Sequence, residues 1–168
     1  MLIWIVVIVA SIFADQLTKQ LVVNFLDREE PFYVIKGVFR FSYVENRGAA
    51  FGMLDGHRWV FMIISTVAIV GIIFYMWKFC RDSKLLCLGL SLIVGGGIGN
   101  MIDRIFLGYV IDFLDFCAFP NLWMWVFNVA DAFVCVGAAI VVLSLLIDIV
   151  KDSKKKAELK TEEKESAE

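Results

Sequence analysis

Four long apolar runs, at about 2–26, 59–79, 85–107 and 126–150, alternate with polar stretches along the chain. Each reaches the ~20 residues that a helix needs to cross a bilayer, so each predicts a membrane span. The pattern changes between the first two runs. From Val38 to Val44 the sequence VFRFSYV alternates, with Phe39, Phe41 and Tyr43 on one side and Arg40 and Ser42 on the other. That is the period-two signature of a half-buried strand. Phe32 to Ile35 can pair with it through a turn at Lys36-Gly37. A small sheet lying on the outer membrane face suits these aromatic side chains, which favour the interface. The segment NRGAAFG then returns the chain to the membrane, with small residues that allow close backbone approach. In the third run Gly95 and Gly99 form a G-x-x-x-G spacing, extended by Gly96 and Gly97, which reads as a helix-packing face. It is not a nucleotide loop, since it fails G-x-G-x-x-G and has no Lys-Ser/Thr end.

Composition agrees with the pattern. Of 168 residues, 60% are hydrophobic, well above the ~45–50% of soluble domains. One membrane domain is expected over 1–150. Beyond it lies KDSKKKAELKTEEKESAE, residues 151–168, charge-mixed with almost nothing to bury and read as a disordered tail. The first run lacks a positive n-region, and SIFAD is a poor cleavage site, so it is expected to be a retained span. Cys80, Cys87, Cys117 and Cys135 lie in or beside apolar runs with no C-x-x-C pair, which argues against zinc and against a disulfide scaffold. They are expected to be apolar packing residues. His57 has no nearby Cys or His partner and reads as a polar loop residue. No metal and no cofactor is expected, and no basic stripe points to nucleic acid.

Basic residues near the span ends set the expected orientation. The short link after the second span carries Lys78, Arg81 and Lys84, and the tail after the fourth carries Lys151, Lys154, Lys155 and Lys156. Both are expected to face the cytoplasm, with both termini. The 27–58 connection holds five basic residues balanced by five acidic ones and belongs outside, with the 108–125 connection.

In that topology polar residues from the whole chain collect at one depth. Asn100, Asp103 and Arg104 fall at the outer end of the third span, and Asp112 follows. Asn128 and Asp131 open the fourth span. Asp15 and Lys19, four apart on one helix face, lie in the outer half of the first, and Asn46 closes the outer loop. Ionised groups at a bilayer are costly and mark function. Two carboxylates held close share a proton, so the pair acts as base and acid together. Asp112 and Asp131 have no adjacent base in sequence and are the candidate dyad. Asp103 beside Arg104 reads as an ion pair bracing a helix end, Asp15 with Lys19 as a structural or positioning pair, Asp115 as an exposed interfacial acid, and Asp27 and Asp148 as boundary charges. A proton- or ion-coupled transporter using Asp15, Asp112 and Asp131 as a relay remains the alternative, although four spans without an internal repeat suit it poorly. A G-x-G-D membrane protease does not fit, because Gly97-Ile98-Gly99 is followed by Asn100.

Five motifs in order, DQLTK (Asp15–Lys19), ENRGAAFG (Glu45–Gly52), GNMIDR (Gly99–Arg104), VIDF (Val110–Phe113) and FNVAD (Phe127–Asp131), make the chain resemble lipoprotein signal peptidase, the type II signal peptidase of bacteria. The resemblance covers about residues 1–150. It implies an all-α membrane protein of four transmembrane helices, with a small outer-face β-cradle and a short outer helix over the site. It implies an aspartic endopeptidase of the bacterial cytoplasmic membrane, working at the outer face and blocked by globomycin; the protein is expected to be monomeric. Its substrates would be diacylglyceryl-modified prolipoproteins, cut just before the lipidated cysteine. By motif, Asp112 and Asp131 are the catalytic pair. Asp15, Lys19, Asn46, Gly48, Asn100, Asp103, Arg104, Asn128 and Ala130 match residues that position substrate or support the dyad. Arg47 varies the loop around Asn46 and is expected to tune outer-face contacts.

Overall fold

The structure, a computed structural model of the chain, describes residues 2–48, 58–79, 83–119 and 125–165. Its elements run α1 (Leu2–Phe25), β1 (Phe32–Ile35), β2 (Phe39–Asn46), α2 (Arg58–Phe79), α3 (Lys84–Phe106), β3 (Val110–Phe116), β4 (Val126–Phe127) and α4 (Val129–Glu165). All four helices are long and apolar enough to cross a membrane. Half of the α3 span is buried inside the protein, against 17% for α1, 6% for α2 and 11% for α4. The third helix is therefore the centre of the bundle, and the others turn most of their apolar surface outward, as lipid-facing helices do. The G-x-x-x-G pair packs as expected: Gly95 lies against Ser11 and Gly99 against Asp15, both on α1, while Gly96 lies against the Ala130 carbonyl of α4. Cys87, Leu90 and Val94 on α3 and Met76 and Ile69 on α2 form an apolar core.

A four-stranded antiparallel sheet, in the order β1-β2-β3-β4, caps the bundle. The expected pairing of Phe32–Ile35 with the alternating strand is present, turning through Gly37. The sheet is larger than the alternation indicated, because VIDFLDF is also a strand and reaches both β2 and β4. The helix α3 ends at Phe106, capped by Leu107, and the backbone N–H groups of Leu107 and Gly108 both donate to the Asp103 carbonyl. Gly108 takes a φ of 86°, the left-handed conformation that closes a helix and suits glycine.

One irregularity in β2 decides what the sheet can do. Phe41 is opposite Leu114, but Val44 is opposite Asp112, so one extra residue of β2 is looped between them. Successive strand residues alternate faces, which puts Asp112 and Asp115, three apart, on opposite faces. Arg40, Ser42 and Asn46 would all share one face in a regular strand. The bulge switches the parity, so Arg40 and Ser42 meet Asp115 while Asn46 meets Asp112.

Several expectations need correction. The fourth span begins at Val129, not 126, because Val126 and Phe127 are strand; a short apolar run does not distinguish the two. Residues 151–165, read as a disordered tail, continue α4 to Glu165. The stretch is rich in lysine and glutamate and lacks glycine and proline, which favours helix. Cys87 is disulfide-bonded, while Cys117 and Cys135 are free, so Cys87 is more than a packing residue. A short outer helix is not among the described residues. His57, Cys80 and residues 49–52 of ENRGAAFG also lie outside them.

Candidate active site

The site begins at the first turn of α4. Asn128 stands immediately before the helix and its Oδ1 accepts the backbone N–H of Asp131 at 2.9 Å. Asp131 Oδ2 accepts the backbone N–H of Asn128 at 3.2 Å. The reciprocal bonds make a capping box, which satisfies helix N–H groups that have no partner within the helix. Pairing of Phe127 with Leu114 brings this turn beside β3. Asp112 then reaches it: Asn128 Nδ2 donates to Asp112 Oδ1 at 2.6 Å. Asn46 Nδ2 donates to Asp112 Oδ2 at 2.8 Å, and the Gly48 N–H fixes Asn46 by donating to its Oδ1 at 3.1 Å. Asn100 Nδ2 donates to Asp131 Oδ1 at 2.7 Å. Each of the four carboxylate oxygens thus accepts an N–H, and Asn128 touches both acids. Burial pushes the Asp112 carboxyl up to about 7; the Asn46 bond pulls it down, and the charge of Asp131 adds to the rise.

Beneath this pair lies a buried polar cluster that ties together α1, α3, β3 and α4. Lys19 Nζ pairs with Asp15 Oδ2 at 2.9 Å and Asp103 Oδ2 at 2.8 Å, and donates to Asn100 Oδ1 at 2.9 Å. Asp15 Oδ1 accepts the Ala130 N–H, and Asp103 Oδ2 accepts the Ile111 N–H. Gln16 bridges Asp15, Asp103 and the Gly99 carbonyl. Lys19 and Asp15 are at most 1% exposed, so these charges are satisfied by one another and by backbone N–H groups rather than by water, as burial requires. Arg104 donates to the Asn100 carbonyl at 3.4 Å and interacts electrostatically with Asp131, Asp112 and Asp103.

All eleven residues singled out from the sequence are brought together here. Two readings change. The ion-pair partner of Asp103 is Lys19 rather than Arg104, since adjacent helix residues point about 100° apart and Asp103 faces α1. Asp115 is not an exposed acid: it is 9% exposed and holds Arg40 Nε at 2.6 Å and Ser42 Oγ at 2.9 Å. Gln16 was overlooked, although it stands inside DQLTK beside Asp15. An apolar groove of about 470 Å³ runs between Leu21, Val22 and Phe25 of α1 and Phe32, Phe41 and Phe113 of the sheet. Neither Asp112 nor Asp131 lines this groove. Among the described residues no group of three or more histidine, cysteine or carboxylate side chains is arranged to hold a metal ion.

The family model described as signal peptidase (SPase) II matches residues 7–147, which include every residue of this site. The chain belongs to the signal peptidase II family. Similar signal peptidases extend over nearly their full length: the lipoprotein signal peptidase of Halothermothrix orenii is 44% identical over 140 residues, covering 83% of this chain and 92% of its own. That of Caldanaerobacter subterraneus subsp. tengcongensis is 47% identical over 136 residues, covering 81% and 90%. A bacterial membrane enzyme solved by the in meso method at 2.3 Å superimposes with a TM-score of 0.81 at 28% identity, covering 89% of this chain and 90% of that one. Four membrane helices under a small antiparallel sheet are thus the signal peptidase II architecture in this chain.

Proposed function

We propose that this protein is an aspartic endopeptidase that removes the signal peptide from diacylglyceryl-modified prolipoproteins, with Asp112 and Asp131 activating water. One observation carries the reading: Asn128 holds a carboxylate of β3 and a carboxylate of α4 at once, through Nδ2 on Asp112 and its backbone N–H on Asp131. The family membership supports the substrate class, and the charge pattern of the loops supports placing the site at the outer face of the bacterial cytoplasmic membrane.

The chemistry follows from unequal surroundings. Asp112, pushed up to about 7, holds the shared proton near neutral pH. Asp131, with an N–H on each oxygen, is the acceptor. Asp131 takes a proton from water as the water oxygen attacks the scissile carbonyl carbon, and Asp112 donates its proton to the carbonyl oxygen. The resulting gem-diol collapses: one hydroxyl proton returns to Asp112, Asp131 protonates the leaving nitrogen, and the C–N bond breaks. The signal peptide leaves with a new carboxylate, and the lipidated cysteine keeps a free amine. Such a dyad titrates as a pair. Asn46, Asn100 and Asn128 hold it through amide N–H groups, and Arg104 supplies positive charge beside it.

Cleavage of a purified diacylglyceryl-modified precursor in detergent, read by mass spectrometry, tests this proposal. The expected product begins at the lipidated cysteine, and the unlipidated precursor is a poor substrate because nothing anchors its scissile bond at the membrane surface. Equal rates for the two precursors, or a cut elsewhere, contradict the reading. Proton flux in proteoliposomes without cleavage would instead favour the relay.

A further inference from the structure

We propose that Lys19 is a positioning residue that fixes the amide orientation of Asn100, and through it the hydrogen bond that Asn100 gives to Asp131. The inference rests on Asp131 being one of the two reacting acids.

An ammonium has three hydrogens and no lone pair to accept with. The three hydrogens of Lys19 are matched by three acceptors, Asp15 Oδ2, Asp103 Oδ2 and Asn100 Oδ1, all between 2.8 and 2.9 Å away. Neutralising Asp15 would need only the ion pair four residues along α1, so the contact with Asn100 is additional to charge balance. Because Nζ can only donate, Asn100 must turn its oxygen toward Lys19. Its Nδ2 is then left facing Asp131 Oδ1, at 2.7 Å. Asn128 enforces the same choice, since its Nδ2 also donates to Asn100 Oδ1, at 3.0 Å, while its own Oδ1 is taken by the Asp131 N–H.

Turning the Asn100 amide over would set its NH2 against an ammonium and a second NH2, and its oxygen against a carboxylate. Three bonds would become three repulsions. The amide is therefore not free to choose, and a carbonyl oxygen is never offered to Asp131 where a donor is needed. Lys19 is itself immobile, because its two carboxylate partners are anchored from elsewhere: Asp15 by the Ala130 N–H of α4 and Asp103 by the Ile111 N–H of β3 and by Gln16. The elements that carry the two acids thus also hold the cation that orients Asn100.

A role in orientation differs from a role in neutralising buried charge, and one variant separates them. The combined change Asp15→Asn, Lys19→Met and Asp103→Asn removes all three charges together, so no buried ion is left unpaired. It keeps oxygens for the Ala130 and Ile111 N–H groups but removes the cation that faces Asn100. The combined variant and the wild type are compared by thermal unfolding, by kcat and KM on lipidated precursor, and by the side-chain amide resonance of Asn100 in 15N-labelled protein in detergent. That resonance is assigned by its loss in Asn100→Leu.

The expected result is a folded variant with little change in KM and a kcat lower by about tenfold to a hundredfold, the cost of one charge-assisted bond. The Asn100 resonance, protected from solvent exchange in the wild type, loses its protection. Adding Asn100→Leu to the combined variant lowers kcat by clearly less than it does in the wild type, since the amide, left with Asn128 as its remaining guide, is already loosened. A combined variant with wild-type kcat and an unchanged Asn100 resonance overturns the proposal and leaves Lys19 a charge-balancing residue. Losses that multiply with Asn100→Leu overturn it as well. The amide resonance reports on the clamp without cleavage, so a wild-type protein that fails to cut precursor refutes the functional reading while this comparison still decides the role of Lys19.

Discussion

Asn128 and Asp131 cap each other at the start of α4, through bonds of 2.9 and 3.2 Å. The same side chains hold one half of the proposed dyad and, through Asn128 Nδ2, bind the other half. Helix start and proposed dyad are one structure, which fixes the position of Asp131 as firmly as the helix itself.

Two substitutions at Asn128 therefore separate stability from activity. Asn128→Ala removes the cap, at a cost of about 1 kcal/mol, and removes the bond to Asp112. Asn128→Asp keeps an oxygen for the Asp131 N–H but replaces the donor to Asp112 by a third acid. Both are expected to lose at least about a hundredfold in cleavage rate, equivalent to about 3 kcal/mol, but only Asn128→Ala unfolds at clearly lower temperature. Thermal unfolding beside a cleavage assay checks this; a fully active Asn128→Asp contradicts it.

Two glycines two residues apart on α3 should behave differently. A Cβ on Gly99 would lie 2.5 Å from Asp15 Oδ2, whereas one on Gly97 would meet the end of the Ile69 side chain at 3.2 Å. Gly99→Ala is expected to displace Asp15 from Lys19 and the Ala130 N–H, with large loss of activity. Gly97→Ala is accommodated by a small movement of Ile69 and retains activity. Equal tolerance at the two positions, in expression level and turnover, would show that the α1–α3 contact is not what sets the site.

The raised Asp112 value gives a pH dependence with a definite sign. Its carboxyl moves from the usual 3.8 to about 7 on folding, chiefly through burial. Between those values the folded state keeps a proton that the unfolded chain has released. The stability this supplies is present at low pH and is lost as pH rises through about 7. Cleavage that needs protonated Asp112 falls over the same upper range. Asn46→Leu removes a bond that pulls the value down, so its descending limb should move to higher pH. A pH profile of kcat/KM across the neutral range measures this, and movement in the opposite direction contradicts the assignment.

Much of this architecture was legible in the sequence, for reasons particular residues make plain. Apolar length announces the spans, and the alternation of Phe39, Phe41 and Tyr43 against Arg40 and Ser42 announces β2. The candidate acids stand out because carboxylates are rare beside such runs. What was missed depends on partners distant in the chain. VIDFLDF holds two acids in seven residues and reveals itself as a strand only by pairing with β2 and β4. Asp115 looks exposed until Arg40, 75 residues away, is opposite it. The bulge that sends Asn46 to Asp112 leaves no mark in the alternation. The helix start was readable: Asn directly before an apolar run, with an acid in the first turn, marks one, and taking the fourth span back to 126 hid it. The helix beyond residue 150 was hidden by the opposite assumption, that a charged stretch has nothing to fold for, although its residues favour helix on their own.

The central claim is that Asp112 and Asp131 act together on one water, and β3 contains its own control. Asp115 lies in the same strand but on the other face, held by Arg40 and Ser42. The decisive measurement is the rate at which purified wild type, Asp112→Asn, Asp131→Asn and Asp115→Asn process diacylglyceryl-modified precursor, with membrane insertion followed in parallel. Loss of cleavage in the first two variants, with normal insertion and with Asp115→Asn still active, is the predicted result. Near-normal turnover in either Asp112→Asn or Asp131→Asn would contradict it.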